Sequence, residues 1–167
     1  MENKIMRYLF SPWRSEYIDS FKEPKKGKEC LLCRIAKEKN DIENLVIFRS
    51  DYCYAMLNRF PYNAGHIMIV PYRHISKIDK LKSEEVQDIF DLSNKCIDVL
   101  NKNYKPQGYN LGMNIGKVAG AGIDKHIHLH IVPRWNGDTN FLPILSETKM
   151  VSQELRKMQR QLKDLLK

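Results

Sequence analysis

Short apolar runs bounded by turn residues predict five β-strands. These runs occupy residues 45–48, 52–57, 66–70, 109–115 and 127–132. The polar residues 49–51 join the first two strands, so a hairpin is expected there, and Pro71 is expected to end the third strand. Consecutive strands with such short connections favour an antiparallel sheet.

Two further stretches carry apolar residues at helical spacing. The first follows Ser83, a candidate N-cap, and its apolar positions are Val86, Ile89, Phe90, Cys96, Ile97 and Leu100. The tail, residues 151–167, carries one apolar stripe made of Leu155, Met158, Leu162, Leu165 and Leu166. Each period predicts a helix with one packed face. Because strands and helices are segregated rather than alternating, an α+β fold with helices flanking the sheet is predicted.

The 167 residues are 43% hydrophobic and 29% charged, with a mean hydropathy of −0.50, which predicts one soluble domain. An arm is expected at residues 1–29, a main body at 30–143 and a terminal helix at 148–167. No run approaches the roughly 18 apolar residues that span a bilayer, and the start is too charged for a secretory signal. A cytoplasmic protein is expected, with reduced thiols because its four cysteines are too sparse for a disulfide framework.

The formal net charge of +8 favours an anionic partner without choosing among nucleic acid, a membrane surface and small phosphorylated molecules. The glycine-rich residues 112–122 offer one way to bind phosphate, because backbone N–H groups near Gly120 and Gly122 can approach its oxygens and Asn114 can add a donor. This segment is not a Walker loop, since Lys117 is followed by valine instead of Ser/Thr. A flexible connection between strands is the alternative interpretation.

Three of the five histidines alternate with aliphatic residues, at His126, His128 and His130. On a strand, this spacing places the imidazoles on one face and the aliphatic residues on the other. Such imidazoles can bind a catalytic zinc that activates water. Alternatively, a neutral imidazole can attack phosphorus itself, which requires a phosphate cradle nearby. A polar strand face without chemistry is the third interpretation.

Residues 126–132 resemble the signature of the histidine triad (HIT) family. The likeness covers most of residues 30–143 and includes Asn58, His66, His74, the glycine-rich segment and residues 133–135. Residues 11–14 and 135–141 resemble the branch that contains diadenosine tetraphosphate phosphorylases. The resemblance implies a nucleotidyl hydrolase or transferase with a mainly antiparallel sheet and flanking helices, commonly dimeric.

The resemblance also implies roles for single residues. His128 would attack the α-phosphorus and carry the nucleotide, and His130 would hold the phosphoryl oxygens or assist the leaving group. A protonated His130 can stabilise charge on those oxygens. The positions implied for substrate binding are Asn58 at the ribose and Asn114 near the phosphates. Asn140 could hold inorganic phosphate, although it also suits a turn. Other branches carry a Gln-Ser/Thr pair where this chain has residues 122–125. Assistance to the leaving group must therefore come from elsewhere, such as Lys117, Lys125 or the backbone. The missing pair favours a polyphosphate as the leaving group.

A second candidate site begins with the C-x2-C pair at residues 30–33, which fits either a metal site or two buried thiols. His74 resembles a ligand position in zinc-bearing members of the family. The resemblance implies a closed zinc site with the ligands Cys30, Cys33, His74 and His126. Four protein ligands leave no position for water, so this zinc would be structural. His66 is expected either to support a neighbouring site residue or to pack, and Cys53 and Cys96 are expected in the core.

The leading hypothesis is an enzyme that cleaves dinucleoside polyphosphates through a nucleotidyl group on His128 and passes it to inorganic phosphate or water. A homodimer or higher homo-oligomer is expected, with no organic cofactor, membrane or nucleic acid involved. One alternative is a zinc hydrolase that uses the three triad histidines as ligands. Another is a non-enzymatic nucleotide- or RNA-binding module that exploits the net charge.

Overall fold

The computed structural model describes residues 29–138 and 154–167. Within them lie the strands β1 (Val46–Arg49), β2 (Cys53–Leu57), β3 (Ile67–Pro71), β4 (Gly108–Gly112) and β5 (Leu129–Arg134). The α-helices there are α1 (Leu31–Lys37), α2 (Ser83–Tyr104) and α3 (Leu155–Leu165), and short 3-10 turns occupy Ile78–Lys80 and Lys117–Ala119. The expected arm up to residue 28, Asn140 and the first part of the expected tail lie outside the described residues.

The strands form one sheet in the order β1-β2-β3-β5-β4, and every neighbouring pair is antiparallel. The expected hairpin is the β1–β2 pair, which runs from Val46 opposite Met56 to Arg49 opposite Tyr54. The predicted α+β fold, with an antiparallel sheet and flanking helices, is therefore confirmed.

One face of the sheet carries the larger apolar core, beneath α2 and α3. Its members on the strands include Cys53, Ala55, Leu57, Ile67, Ile69, Leu129 and Ile131. Its members on the helices include Ile89, Cys96, Leu100, Met158 and Leu162. Removing this apolar surface from water contributes roughly 25 cal/mol per Å². The burial of Cys53 and Cys96 in this core is as predicted.

The opposite face packs against α1 and carries the histidines. Leu32 and Ile35 of α1 contact a smaller apolar cluster on this face, made of Val46, Tyr54, Met56, Met68 and Val70. Met68 lies directly opposite His130 in the β3–β5 register, and directly opposed residues point to the same face. The imidazole side of β5 therefore looks toward α1 and away from the larger core.

The helices differ in detail from the sequence prediction. Lys82, not Ser83, is the N-cap of α2, and the Glu85 carboxylate accepts the Lys82 backbone N–H at 2.8 Å. Val86 and Phe90 were predicted on the packed face but are 37% and 52% exposed, because the face centred on Ile89, Cys96 and Leu100 turns them toward solvent. Leu165 is likewise exposed. No helix within residues 29–138 or 154–167 is long and apolar enough to cross a membrane.

Two strand boundaries also differ. β4 ends at Gly112 instead of residue 115, and β5 begins at Leu129 instead of residue 127. The prediction that all three triad histidines lie in a strand is wrong, because His126 and His128 precede β5. The reason is a contact with a distant part of the chain: the Ile127 N–H donates to the Ile75 carbonyl oxygen at 2.7 Å, so the β3–β5 pairing begins only at Leu129, after the first two imidazoles.

Candidate active site and metal centre

Four potential metal ligands meet beside the start of α1. Cys30 is the N-cap of α1 and Cys33 lies on its first turn. His74 lies in the loop after β3, and His126 lies just before β5. One ligand atom of each residue lies within 4.8 Å of those of the other three. The four residues that the resemblance implied are thus together, and they can hold a metal ion.

The spacing of these atoms suits a tetrahedral zinc. Cys33 Sγ lies 3.3 Å from His74 Nδ1 and 3.4 Å from His126 Nδ1. Cys30 Sγ lies 3.5 Å from His126 Nδ1. Zinc–sulfur bonds of about 2.3 Å and zinc–nitrogen bonds of about 2.05 Å at tetrahedral angles separate sulfur from nitrogen by about 3.6 Å. The donor set and its dimensions therefore fit Zn²⁺.

His126 presents its Nδ1 atom to the thiols because its other ring nitrogen is held elsewhere. Its Nε2–H donates to the Pro71 carbonyl oxygen at 2.8 Å. A carbonyl can only accept, so the proton resides on Nε2 and the lone pair on Nδ1. Burial and the neighbouring Cys30 raise the pKa of the Cys33 thiol to about 11. A cation is therefore needed to hold the Cys33 sulfur as a thiolate at neutral pH.

His128 is held through the opposite ring nitrogen. Its Nδ1–H donates to the backbone carbonyl oxygen of His126 at 2.8 Å, which leaves the lone pair on Nε2. The side chain is 7% exposed, and burial lowers its pKa below the ordinary histidine value. At neutral pH the ring is therefore uncharged with a bare Nε2, which is the state that nucleophilic attack requires.

His130 is fixed by a chain of hydrogen bonds through His66. The Tyr62 backbone N–H donates to His66 Nδ1 at 3.0 Å, so the His66 proton resides on Nε2. His66 Nε2 lies 2.9 Å from His130 Nδ1 and is the donor of that bond. Neutral His130 consequently carries its own proton on Nε2 and can donate it to an oxyanion.

Two expectations bear on this chain. His66 is buried and sets the tautomer of His130, so it supports a neighbouring site residue, which is one of the two roles expected for it. Burial, followed by the electrostatic effect of the neighbouring His130 and His128, lowers the pKa of His66 to about 3. If His130 were protonated, its Nδ1–H would face the Nε2–H of His66, and two donors cannot form this hydrogen bond. The geometry therefore favours a neutral His130 in place of the protonated one expected.

The three triad histidines do not share a metal-ligand position. Both ring nitrogens of His126 are engaged, by the Pro71 carbonyl and the thiol group. His128 and His130 each use Nδ1 in a hydrogen bond with a different partner. A zinc hydrolase with all three as ligands would have to break these bonds, so this alternative is disfavoured.

Beyond His130, the histidine face opens into a cleft of about 320 Å³. Residues on its walls include Tyr62, Asn110, Gly112, Asn114, His130 and Arg134. Asn114, predicted near the phosphates, therefore shares this space with His130. Asn58, predicted at the ribose, is 9% exposed and its Oδ1 accepts the Phe60 N–H at 2.9 Å. Its carboxamide thus already shapes the turn before β3.

The glycine-rich segment contains a tight turn. Gly120 has a φ of 84°, in the left-handed region that favours glycine, and its N–H donates to the Lys117 carbonyl oxygen at 3.0 Å. Gly122 is partly buried, whereas Lys117 and Lys125 are exposed. Both lysines lie on the surface of the segment that leads to the triad.

Comparison with known proteins agrees with this architecture. A family model described as "HIT domain" matches residues 39–137. An AP-4-A phosphorylase of Mycobacterium tuberculosis is 42% identical over 121 residues, which are 72% of this chain and 62% of that protein. An asymmetrical bis(5'-nucleosyl)-tetraphosphatase of Schizosaccharomyces pombe is 30% identical over 112 residues, 67% of this chain and 58% of that protein. The chain thus spans about three fifths of the length of these relatives.

A solved structure extends the comparison to the fold. The crystal structure of a zinc-bound histidine triad family protein from Mycobacterium smegmatis matches with a TM-score of 0.66 and 24% identity. The match covers 83% of this chain and 93% of that chain. At this identity the likeness supports the fold alone.

Proposed function

The chain belongs to the histidine triad family, and we propose that it cleaves dinucleoside polyphosphates through a nucleotidyl group carried on His128. Relatives with enzyme names act in nucleotide hydrolysis or transfer, and two are named for tetraphosphate substrates. Since this chain spans only part of those proteins, their activity is carried over as a proposal.

One observation carries the proposal: His128 donates Nδ1–H to the His126 carbonyl and so keeps a lone pair on Nε2. Its ordinary pKa of about 6.5 is lowered further by burial, so no proton competes for that lone pair near pH 7. The backbone bond also holds the ring in one orientation, which reduces the entropy lost in reaching the reactive geometry.

The reaction would proceed in two displacements at one phosphorus. His128 Nε2 attacks the α-phosphorus, the N–P bond forms, and the P–O bond to the leaving nucleoside polyphosphate breaks. Inorganic phosphate or water then attacks the same phosphorus, the N–P bond breaks, and its electron pair returns to Nε2. A polyphosphate leaves readily as an anion, so neither exposed lysine, Lys117 or Lys125, need donate a proton to it.

The other proposed roles concern charge and binding. The Nε2–H of His130 would hold a phosphoryl oxygen as charge develops there. Asn114 and the backbone N–H groups around Gly120 and Gly122 would bind the phosphates, and Asn58 the ribose. Asn140, outside the described residues, stays a prediction for the acceptor phosphate, as do the homodimer and the cytoplasmic location.

The metal group is proposed to hold a structural Zn²⁺. Cys30, Cys33, His74 and His126 would fill all four coordination positions, so the ion would activate no water. Its contribution would be to fix the segment whose carbonyl orients His128. No organic cofactor is required for the two displacements.

The test is trapping of the covalent adduct. Purified protein is mixed with diadenosine tetraphosphate labelled in the adenylate, and intact mass and products are followed with and without phosphate. We expect an adenylyl adduct and ATP, with ADP formed when phosphate is present and AMP when water is the acceptor. His128→Ala should form no adduct and lose roughly a thousandfold or more in turnover.

The melting temperature of His128→Ala serves as the folding control, because this ring contributes little to the larger core. Full turnover by His128→Ala, or rapid turnover by the native protein without any adduct in rapid-quench samples, would contradict the mechanism.

A further inference from the structure

The cleft beyond His130 lies where the face of β5 continues away from His128. His130 and Arg134 are separated by four residues on this strand and both line the cleft, with Asn110 and Gly112 facing them from β4. The His128 and His130 ring centroids are 4.8 Å apart. His130 therefore lies between the proposed nucleophile and this space.

Hydrogen-bond donors remain on the cleft wall. Arg134 donates Nη1–H to Asn110 Oδ1 at 2.8 Å, so the NH2 group of Asn110 is left as a donor that no other described residue accepts. Asn110 is exposed, and Arg134 uses three of its five N–H groups, one on Asn110 and two on Asp138. Donors from two strands thus converge beside His130.

The negative charge of the carboxylate nearest to these donors, Asp138, is already balanced by hydrogen bonds. Asp138 accepts Arg134 Nε–H at 2.6 Å and Nη2–H at 2.9 Å. Asn63 Nδ2 donates to the same group at 2.6 Å. The Arg134 hydrogen bonds hold the pKa of Asp138 well below its usual range. The pair is therefore neutral overall, and carboxamide and guanidinium donors decide which ligand the cleft accepts.

Chemistry restricts where the acceptor must lie. Phosphoryl transfer runs with attacking and leaving atoms roughly in line, so the leaving polyphosphate departs on the side of phosphorus opposite His128. The second displacement breaks the N–P bond, and its attacking oxygen must approach opposite His128 as well. Leaving group and acceptor consequently occupy the same space in succession.

We infer that the cleft lined by Asn110, Asn114 and Arg134 receives the leaving polyphosphate and then binds inorganic phosphate as the acceptor, which makes the enzyme a phosphorylase. This inference rests on the proposed function. Neutral amide donors, and an arginine whose charge is balanced by Asp138, suit a phosphate oxyanion. Water as the acceptor would not need these hydrogen-bond donors. An oxygen of the bound phosphate attacks phosphorus, the N–P bond breaks, and a nucleoside diphosphate leaves.

The experiment separates adduct formation from its breakdown. Asn110→Ala is compared with the native protein and with the control Asn94→Ala, an exposed asparagine of α2 away from the cleft. Single-turnover adduct formation on diadenosine tetraphosphate is measured first. ADP and AMP are then quantified over a series of inorganic phosphate concentrations.

Asn110→Ala should raise the phosphate KM by roughly tenfold, the loss expected for one hydrogen bond to a charged group. Its product ratio should shift from ADP toward AMP, and adduct formation should also slow, because the same side chain faces the leaving polyphosphate. Asn94→Ala should match the native protein in all three quantities. An adduct whose breakdown ignores phosphate, or an unchanged phosphate KM in Asn110→Ala, would overturn this inference alone. Failure of the native adduct to form would overturn the proposed function with it.

Discussion

The two ends of the histidine run differ in what holds their rings. At the thiol end, His126 is held by a backbone carbonyl on Nε2 and turns Nδ1 toward two sulfurs. At the cleft end, His130 accepts a hydrogen bond from another imidazole on Nδ1 and carries its own proton on Nε2. Between them, His128 donates Nδ1–H to a carbonyl and keeps a bare Nε2.

The hydrogen-bond partner of one ring nitrogen thus decides which state the other nitrogen has. His126 and His128 each donate to a carbonyl, yet through opposite nitrogens, so the lone pair lies on Nδ1 of His126 and on Nε2 of His128. In the proposals, the thiol end holds a structural metal and the cleft end binds substrate. Perturbing each end should accordingly give different readouts.

Metal removal should have the largest effect on stability. A strong chelator, or Cys33→Ser, should lower the free energy of unfolding by at least about 3 kcal/mol, because binding to a folded four-ligand site contributes directly to folding. Thermal unfolding followed by circular dichroism measures the loss, and elemental analysis measures about one zinc per chain before treatment.

Cys33→Ser supplies its own control, since chelator should shift its melting temperature no further. A native protein that contains no zinc and melts identically with and without chelator would refute the metal centre. The two ends would then differ only in their hydrogen bonds.

Acid should act mainly at the cleft end, through His66. Its pKa falls from about 6.5 when unfolded to about 3 in the fold, because of burial first and then His130 and His128. Between these values the unfolded chain binds a proton that the folded chain does not, so stability falls as pH falls below 6.5. From pH 6 to pH 4 the loss from this residue should be about 2–3 kcal/mol.

His66→Gln isolates this contribution, because glutamine does not titrate. Urea unfolding at several pH values should give a shallower slope for His66→Gln than for the native protein, whatever the offset in stability at pH 8. Equal slopes would mean that His66 is not kept neutral in the fold.

Local spacing predicted much of the sheet and the core. The period of two between Leu129 and Ile131 placed both in the larger core, and the apolar runs gave β2 and β3 to within one residue. The C-x2-C pair fitted either a metal site or two buried thiols, and the family resemblance supplied the other two ligands. Each of these features depends on residues close together in the chain.

What the sequence could not supply depends on distant contacts. The tautomer of His130 rests on His66, 64 residues away, and β5 starts late because Ile127 bonds to Ile75. Val86 and Phe90 fit the helical period but lie at the edge of the apolar face of α2. There, only the placement of α2 on the sheet decides how exposed a side chain is. The wall formed by Asn110 and Arg134 carried no signal in the sequence pattern.

A substitution at Gly65 should have the smallest effect on stability at the cleft end. Gly65 directly precedes His66, the residue that fixes the tautomer of His130. Its φ of 73° lies in the left-handed region, and a Cβ there would meet Leu100 Cδ2 at 3.2 Å and Pro133 Cγ at 3.3 Å. Gly65→Ala should therefore cost about 1–2 kcal/mol of unfolding free energy. Gly108→Ala is the matched control, since nothing lies within 4 Å of its added Cβ. If both variants melt alike, the turn before His66 tolerates a Cβ at position 65 and does not need glycine there.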